Sequence, residues 1–342
     1  HFLGLGEAMA RSVAVLVVAC PCALALAGPL ATAAGLGAAA RRGLLLRSGD
    51  ALLALADINV VALDKTGTVT AGTLTVVDAE DAVLRLAAGL ERYSTHPIAR
   101  AVLEEATRRG IPLPQARKLH ESPGAGISGE IDGREVRLGP GAPGEVLLTE
   151  DGQPTARIRL GDLTRTDARQ TLDRLRGEGI RVALLSGDQP EIVERVAREA
   201  GAAEVMARMD PTAKAIWIGE RRRQGDRILF AGDGLNDGPA LAAATVGIAM
   251  ATGAASSVLV ADGVISTESL APILGGIRAA RATRHAVRLS QRWAIVYNVV
   301  AVGAAVAGLV NPLVAAILMP LSSVSVIWRA SRVEVAVRRA ER

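Results

Sequence analysis

"INVVALDKTGTVT", Ile58 to Thr70, joins an apolar run directly to Asp64, Lys65, Thr66, Gly67 and Thr68. The layout returns in "RVALLSGD", where Ser186, Gly187 and Asp188 follow Arg181 to Leu185. It returns again in "RILFAGDGLNDGPAL", which places Asp233, Gly234, Asn236 and Asp237 after Ile228 to Ala231. Helical patterns over 167–177 and 191–200 lie between the runs. Short apolar runs alternating with helices predict a parallel sheet covered on both faces. Ligands of such sheets bind at the carboxyl ends of the strands, so the three polar loops are expected to converge.

The residue types at those loops suit phosphoryl chemistry. Asp64 sits on a glycine-containing turn, as a nucleophilic carboxylate should. Asp233 and Asp237 offer hard oxygen ligands for Mg²⁺. Thr66, Ser186 and backbone amides can hold phosphate oxygens, and Lys214 in "DPTAKAIW" can neutralise charge that develops in transfer. Asp and Gly are ordinary turn residues, so one such loop means little; three in order, each after a strand, carry the reading. Lysine is scarce, with Lys65, Lys118 and Lys214 the three in the chain, and two of them fall in these loops.

Composition bounds the remainder. The chain has 342 residues, half of them apolar, and a net charge of +4, which points away from nucleic acid as a partner. Ser12 to Ala40 and Trp293 to Trp328 carry no charge, and Asn311-Pro312 marks a turn inside the second run. Three transmembrane helices are expected, one at the start and a hairpin near the end. Arg41, Arg42 and Arg47, then Arg281, Arg284, Arg288 and Arg292, then Arg329, Arg332, Arg338 and Arg339 flank these runs. All three clusters fall on one side, the cytoplasmic one by the positive-inside rule. The chain opens on His1 inside apolar sequence and reads as the C-terminal part of something longer.

"DKTGT", "SGD", the lysine of "DPTAK" and "GDGLNDGPAL" resemble the signature loops of P-type ATPases, members of the haloacid-dehalogenase-like superfamily. The resemblance implies an α/β, Rossmann-like phosphorylation domain over 45–78 and 157–275, with an α+β nucleotide-binding domain inserted over 79–156. It implies that Asp64 is phosphorylated, with Lys65, Thr66, Ser186, Gly187, Lys214, Asn236 and Asp237 around it. Asp64, the Thr66 carbonyl and Asp233 would hold Mg²⁺. Related soluble phosphatases carry a second acid two residues after the nucleophile; Thr66 stands there, which suits a slowly hydrolysed acyl phosphate. In "ERYSTHPIA" and "ESPGAGISGEIDG" the resemblance assigns Glu91, His96, Gly124 and Gly126 to ATP, although Thr95 replaces the usual Glu before the histidine.

"VVACPCALALAGPL" places Cys20, Pro21 and Cys22 within the first span, 1–44. Pro21 leaves the Val17 carbonyl without its helical donor. The break is either a kink with two small buried thiols or a turn that aims both at a thiophilic ion such as Cu(I) or Zn²⁺. "CPC" ahead of "DKTGT" resembles the transport site of heavy-metal P-type ATPases, and "VYNVV" with "MPLSS" in 276–342 resembles the copper-transporting subclass. The implied metal ligands are Cys20, Cys22, Tyr297, Asn298, Met319 and Ser323, with Cu(I) or Ag(I) as cargo and a zinc or cadmium pump as the alternative. Arg292 and Gly303 depart from the copper pattern, which usually has Asn and Pro there. A membrane-tethered phosphatase with structural cysteines is the reading from outside the pumps. The family implies a multi-pass protein of the bacterial inner membrane with its catalytic part in the cytoplasm, fed by a copper chaperone. No "TGE" loop is present, so the actuator domain and earlier membrane helices are expected in a missing N-terminal part.

Overall fold

Val60–Asp64 (β2) is buried at every position, and both of its neighbours in the sheet run parallel to it. The computed structural model describes residues 4–19, 22–233, 236–250, 259–330 and 332–340. Contacts divide them into a unit of 1–69 with 166–342 and a unit of 70–165.

The first unit holds a seven-stranded sheet in the order β1-β13-β12-β11-β2-β9-β10. Its other strands are Leu44–Leu46 (β1), Arg181–Leu185 (β9), Glu204–Met206 (β10), Ile228–Gly232 (β11), Val246–Met250 (β12) and Gly263–Ile265 (β13). All pairs are parallel except β1 with β13. From β2 the chain proceeds to β9 on one side and later returns to β11 on the other. That reversal is the switch point at which open α/β sheets bind ligands. Alternate residues of the three central strands feed opposite cores. Val61, Leu63, Val182, Leu184, Leu229 and Ala231 enter one, while Val60, Ala62, Ala183, Leu185, Ile228 and Phe230 enter the other. A period of two forces this division, and it explains why these strands read as unbroken apolar runs.

Helices Ala168–Gly177 (α6) and Pro190–Ala200 (α7) supply Leu172, Leu175, Val193 and Val196 to the first core. Pro211–Arg223 (α8) and Gly238–Ala243 (α9) supply Ile218, Ala240 and Leu241 to the second.

The second unit is a six-stranded antiparallel sheet ordered β3-β8-β7-β6-β5-β4. The strands are Thr70–Asp78 (β3), Arg117–Ser122 (β4), Gly126–Ile131 (β5), Arg134–Pro140 (β6), Glu145–Glu150 (β7) and Gln153–Thr164 (β8). Asp81–Glu91 (α4) and Pro97–Arg108 (α5) share an apolar core with it through Leu84, Leu90, Val102, Ile131, Leu148 and Ile158. The expected boundaries of 79 and 156 are too narrow. β3 and β8 pair along their lengths, so each carries its residues into this sheet and the unit runs from 70 to 165.

Leu5–Val18 (α1), Cys22–Ala40 (α2), Ala271–Val306 (α10) and Pro312–Ala330 (α11) belong to the first unit. The one span expected over 12–40 is two helices, with Ala19 capping the first. α10 runs for 36 residues from Ala271, ahead of the expected boundary at 276 and of the uncharged run from Trp293, and it is the one helix among the described residues long and apolar enough to cross a membrane. The expectation of three such helices is not met on that measure. α2 has a shorter apolar stretch, Ala25–Ala40. α10 begins where Asp167 Oδ2 accepts from the amides of Leu270, at 2.8 Å, and Ala271, at 3.2 Å. The expected turn at Asn311-Pro312 is present, and Asn311 Oδ1 accepts from Val314 N at 2.8 Å.

Gly49–Leu55 (α3) packs beside these helices, capped by Ser48. A side chain at Gly35 of α2 would run into Thr283 of α10 and Leu52 of α3, so glycine sets how closely the helices meet. Only Arg41, Arg42 and Gly43 separate α2 from β1. Glu334 of Val333–Ala340 (α12) bonds both arginines, at 2.9 and 3.2 Å. The three cations facing Glu334, Arg41, Arg338 and Arg42, outweigh its burial and hold its carboxyl down to about 2.

Candidate active site

Asp64 ends β2, and the chain turns at once through Lys65–Val69. Thr66 (φ −76°, ψ 128°) and Gly67 (φ +70°) interrupt the turn's helical geometry. A Cβ on Gly67 would lie 3.0 Å from Asp233, so the left-handed backbone and the close approach both call for glycine. Asp233 follows β11 and Asp237 precedes α9. One carboxylate oxygen from each of Asp64, Asp233 and Asp237 lies within 4.8 Å of the others.

Lys214 enters from α8, where Asp210 caps the helix by accepting from Ala213 N at 2.7 Å. Its ammonium donates to Asp64 Oδ1 at 2.5 Å and to Asp237 Oδ1 at 2.8 Å. Burial pushes the Asp64 carboxyl up to about 7, and the charges of Asp237 and Asp233 add to it; Lys214 works the other way. Burial disfavours the Lys214 ammonium, but Asp64 and Asp237 outweigh it and hold its pKa above the ordinary lysine value. Three carboxylates facing one ammonium leave the cluster rich in hard anionic oxygen. The donor set therefore fits Mg²⁺, which binds through a few carboxylates plus phosphate.

Buried Ser186 follows β9, and its Oγ accepts from Asp188 N at 3.2 Å. Lys65 Nζ pairs with Asp188 Oδ2 at 2.7 Å, which ties the loop after β2 to the loop after β9. Thr66, Gly187 and Asn236, in the loops after β2, β9 and β11, are exposed. Asp188 is the residue the sequence reading left out of the site, although "SGD" contains it.

One cavity of the second unit, of about 320 Å³, is lined by Glu91, His96, Gly124 and Gly126 among others. His96 caps α5, its Nδ1 accepting from Ile98 N at 3.2 Å. Gly126 has φ +99°, and a Cβ there would run into the Leu138 carbonyl. Glu91 is buried, and that burial lifts its carboxyl to about 7 against the pull of Ser94; Glu121 adds to the rise. Glu121 and Glu145 line the same cavity and were not legible as site residues.

The proposed metal ligands are placed less fully. Cys20 lies outside the described residues, as do the side chains of Cys22, Met319 and Ser323. Tyr297 and Asn298 are half-buried on α10, and Tyr297 packs against the cluster of Ala14, Val18, Ala301 and Ala305. The Tyr297 hydroxyl is buried without a hydrogen-bond partner among the described residues.

Residues 58–245 match the family model of the haloacid dehalogenase-like hydrolases. The chain is 37% identical to copper-transporting ATPase 2 of Rhizobium meliloti (strain 1021), over 96% of this chain and 44% of that one. It is 36% identical to a copper-exporting P-type ATPase of Mycobacterium tuberculosis (strain ATCC 25618 / H37Rv), over 95% and 46%. The chain thus spans a little under half the length of these relatives. Among solved structures, a zinc-transporting PIB-type ATPase in its E2.Pi state superposes with a TM-score of 0.86 at 30% identity, covering 93% of this chain and 56% of that one. A site with an aspartate, a lysine and two further carboxylates at the switch point, carried on a chain with these relatives, has one family home: the chain belongs to the haloacid dehalogenase-like hydrolases, and within them to the P-type ATPases.

Proposed function

We propose that this chain is the phosphorylated and metal-conducting part of a pump that spends ATP to move a soft metal ion, Cu(I) foremost, out of the cytoplasm. The observation that carries the reading is the Asp64–Lys214–Asp237 triad at the switch point of a parallel sheet. An Asp64 carboxylate oxygen attacks the γ-phosphorus of ATP, the bond to the β,γ-bridging oxygen breaks, and ADP leaves with that electron pair. Lys214 offsets the charge of the transferring group, and Ser186 and the amides of its loop hold the phosphoryl oxygens. Mg²⁺ held by Asp64, Asp233 and the Thr66 carbonyl would supply further charge neutralisation. The Thr66 hydroxyl is too weak an acid and base to activate water near neutral pH, which would let the aspartyl phosphate persist until the protein changes state. The base and ribose of ATP would sit in the cavity of Glu91, His96, Gly124 and Gly126.

The membrane reading rests on exposed apolar surface. Leu5, Met9, Leu16, Val299, Leu313 and Leu321 stand bare on α1, α10 and α11. So much uncovered apolar area calls for lipid or another protein. Cys20, Cys22 and Met319 offer soft donors, which favour Cu(I). The zinc-transporting structural neighbour favours a divalent cargo as the second reading. Partners would be the bilayer, a copper chaperone and the N-terminal half of the same pump, in the inner membrane of a bacterium.

The test is acyl-phosphate formation from labelled ATP in the full-length protein, with Cu(I), Ag(I) or Zn²⁺ added in turn and Asp64→Asn as the blank. Label that needs Cu(I) or Ag(I), and that Cys20→Ser abolishes, supports the copper pump. Label driven by Zn²⁺ moves the cargo to the divalent class. Label indifferent to metal overturns the transport reading.

A further inference from the structure

One cavity of the first unit, of about 410 Å³, lies where α10, the end of α11 and α12 meet. Val333 is buried and Ala286 half-buried, which gives the cavity an apolar floor, and Leu289 adds an exposed apolar edge. His285, Trp328 and Arg332 stand exposed at its mouth. No carboxylate lines it. Glu334, next to Val333, is already held by Arg41, Arg42 and Arg338.

The height of this cavity along the helices can be read from two tryptophans. Trp293 of α10 and Trp328 of α11 stand at matching distances on either side of the Asn311-Pro312 turn, so the hairpin brings them to one level. Both are exposed, and tryptophan gathers at the boundary between membrane and water. Towards the arginine-rich end of α10, Leu289 lies about 6 Å and His285 about 12 Å past Trp293, at 1.5 Å per residue. The polar layer on each side of a bilayer is roughly 5–8 Å deep. The cavity therefore opens at headgroup height.

We infer that this cavity is a binding site for one anionic phospholipid, whose phosphodiester meets Arg332 and His285 while the start of its acyl chains lies over Leu289 and Trp328. The inference rests on the proposed membrane reading. The Arg332 guanidinium carbon lies 3.5 Å from the centre of the Trp328 ring, and no carboxylate of the described residues pairs with that guanidinium. Stacking holds the cation in place and leaves its N–H groups to donate to phosphate oxygens. An imidazole N–H of His285 adds a donor whether the ring is neutral or charged. A basic pocket between membrane helices on the cytoplasmic side is the setting in which anionic headgroups bind. A choline headgroup fits less well. Arg332 already occupies the face of Trp328 that a quaternary ammonium would seek, and it repels that charge.

The probes are phosphatidylglycerol and phosphatidylcholine, supplied in equal amounts in mixed micelles with the full-length protein. Native mass spectrometry counts the lipids that each protein molecule retains. The native protein should hold phosphatidylglycerol about fivefold more tightly than Arg332→Gln does, the worth of one cation at an anionic headgroup. Phosphatidylcholine retention should be the same in both. Arg332 is exposed, so the variant should fold. Arg292→Gln, which removes a cation near the same level but outside the cavity, should leave both counts unchanged. Millimolar inorganic phosphate should not displace the lipid, because it has no use for the apolar floor. Equal phosphatidylglycerol retention in the native protein and Arg332→Gln, or an equal loss in Arg292→Gln, overturns the site and leaves the membrane reading in place. Displacement by inorganic phosphate overturns the lipid as occupant. Failure to retain either lipid, in a protein that also stays out of vesicles of the same two lipids, overturns the membrane reading and this inference with it.

Discussion

Lys214 Nζ lies 2.5 Å from Asp64 Oδ1, joining residues 150 positions apart. The same ammonium holds Asp237, so one cation keeps two buried carboxylates from repelling each other. Lys214→Ala should lower acyl-phosphate formation by about a hundredfold or more, the scale of losing a preorganised charge at a transferring group. Lys214→Arg should not restore it. A planar fork on a different stem cannot take the place of a compact ammonium seated between two carboxylates. Phosphorylation from labelled ATP checks both variants.

Gly67→Ala places a methyl 3.0 Å from Asp233 on a backbone at φ +70°. The strain is about 1–3 kcal/mol, and Asp233 must move to relieve it. The expected signature is a several-fold rise in the Mg²⁺ concentration needed for half-maximal phosphorylation. Unchanged Mg²⁺ dependence would remove Asp233 from the metal's neighbourhood.

Gly126→Ala should damage the nucleotide cavity itself. The new methyl runs into the Leu138 carbonyl on the neighbouring strand, and neither β5 nor β6 can yield without breaking its register. Nucleotide affinity should fall about tenfold or more, with the loss of roughly 2 kcal/mol of stability typical of strain at a left-handed glycine. Trinitrophenyl-ATP titration measures the first. Proteolysis rates within 70–165 measure the second.

Glu91 gives a pH dependence whose sign is fixed. Its folded pKa is raised to about 7, above the ordinary value of 4.5, because burial penalises the charge. The stability linked to its proton is therefore complete below about 4.5 and lost as pH rises through 7. Glu91→Gln, neutral throughout, should protect the second unit from hydrogen exchange more than the native residue does at pH 8, and no more at pH 5. Equal protection at both values would show that the native carboxyl is not buried as described.

The three polar loops were legible because each pairs a buried strand with residues that only chemistry or a turn would place there. β2, β9 and β11 are covered on both faces, so their apolar runs have no alternation to dilute them. β3 was hidden for the opposite reason. Much of Thr70–Asp78 is exposed, and its polar residues read as a linker rather than as a strand pairing with β8. α10 was cut short because Arg281, Arg284, Arg288 and Arg292 look like the flank of a span. In the structure Arg281 bonds Glu178 at the end of α6 and Arg284 bonds Asp57 just after α3, so these two arginines belong to the helix's docking on its neighbours. Glu121 carried no signal at all: a single glutamate on an exposed strand becomes notable only when its neighbours across the sheet are known.

Three residues between Ala40 and Leu44 leave no slack between α2 and the sheet, and Glu334 grips two of them. The joint is short, and Gly43 turns it at φ +86°. A shift of the sheet edge by one residue, about 3.3 Å, must pass into α2 as a push along its axis or a turn about it. In mechanical terms the chain is a piston rod, and a few flexible residues inserted after Ala40 would uncouple it while leaving every catalytic group in place.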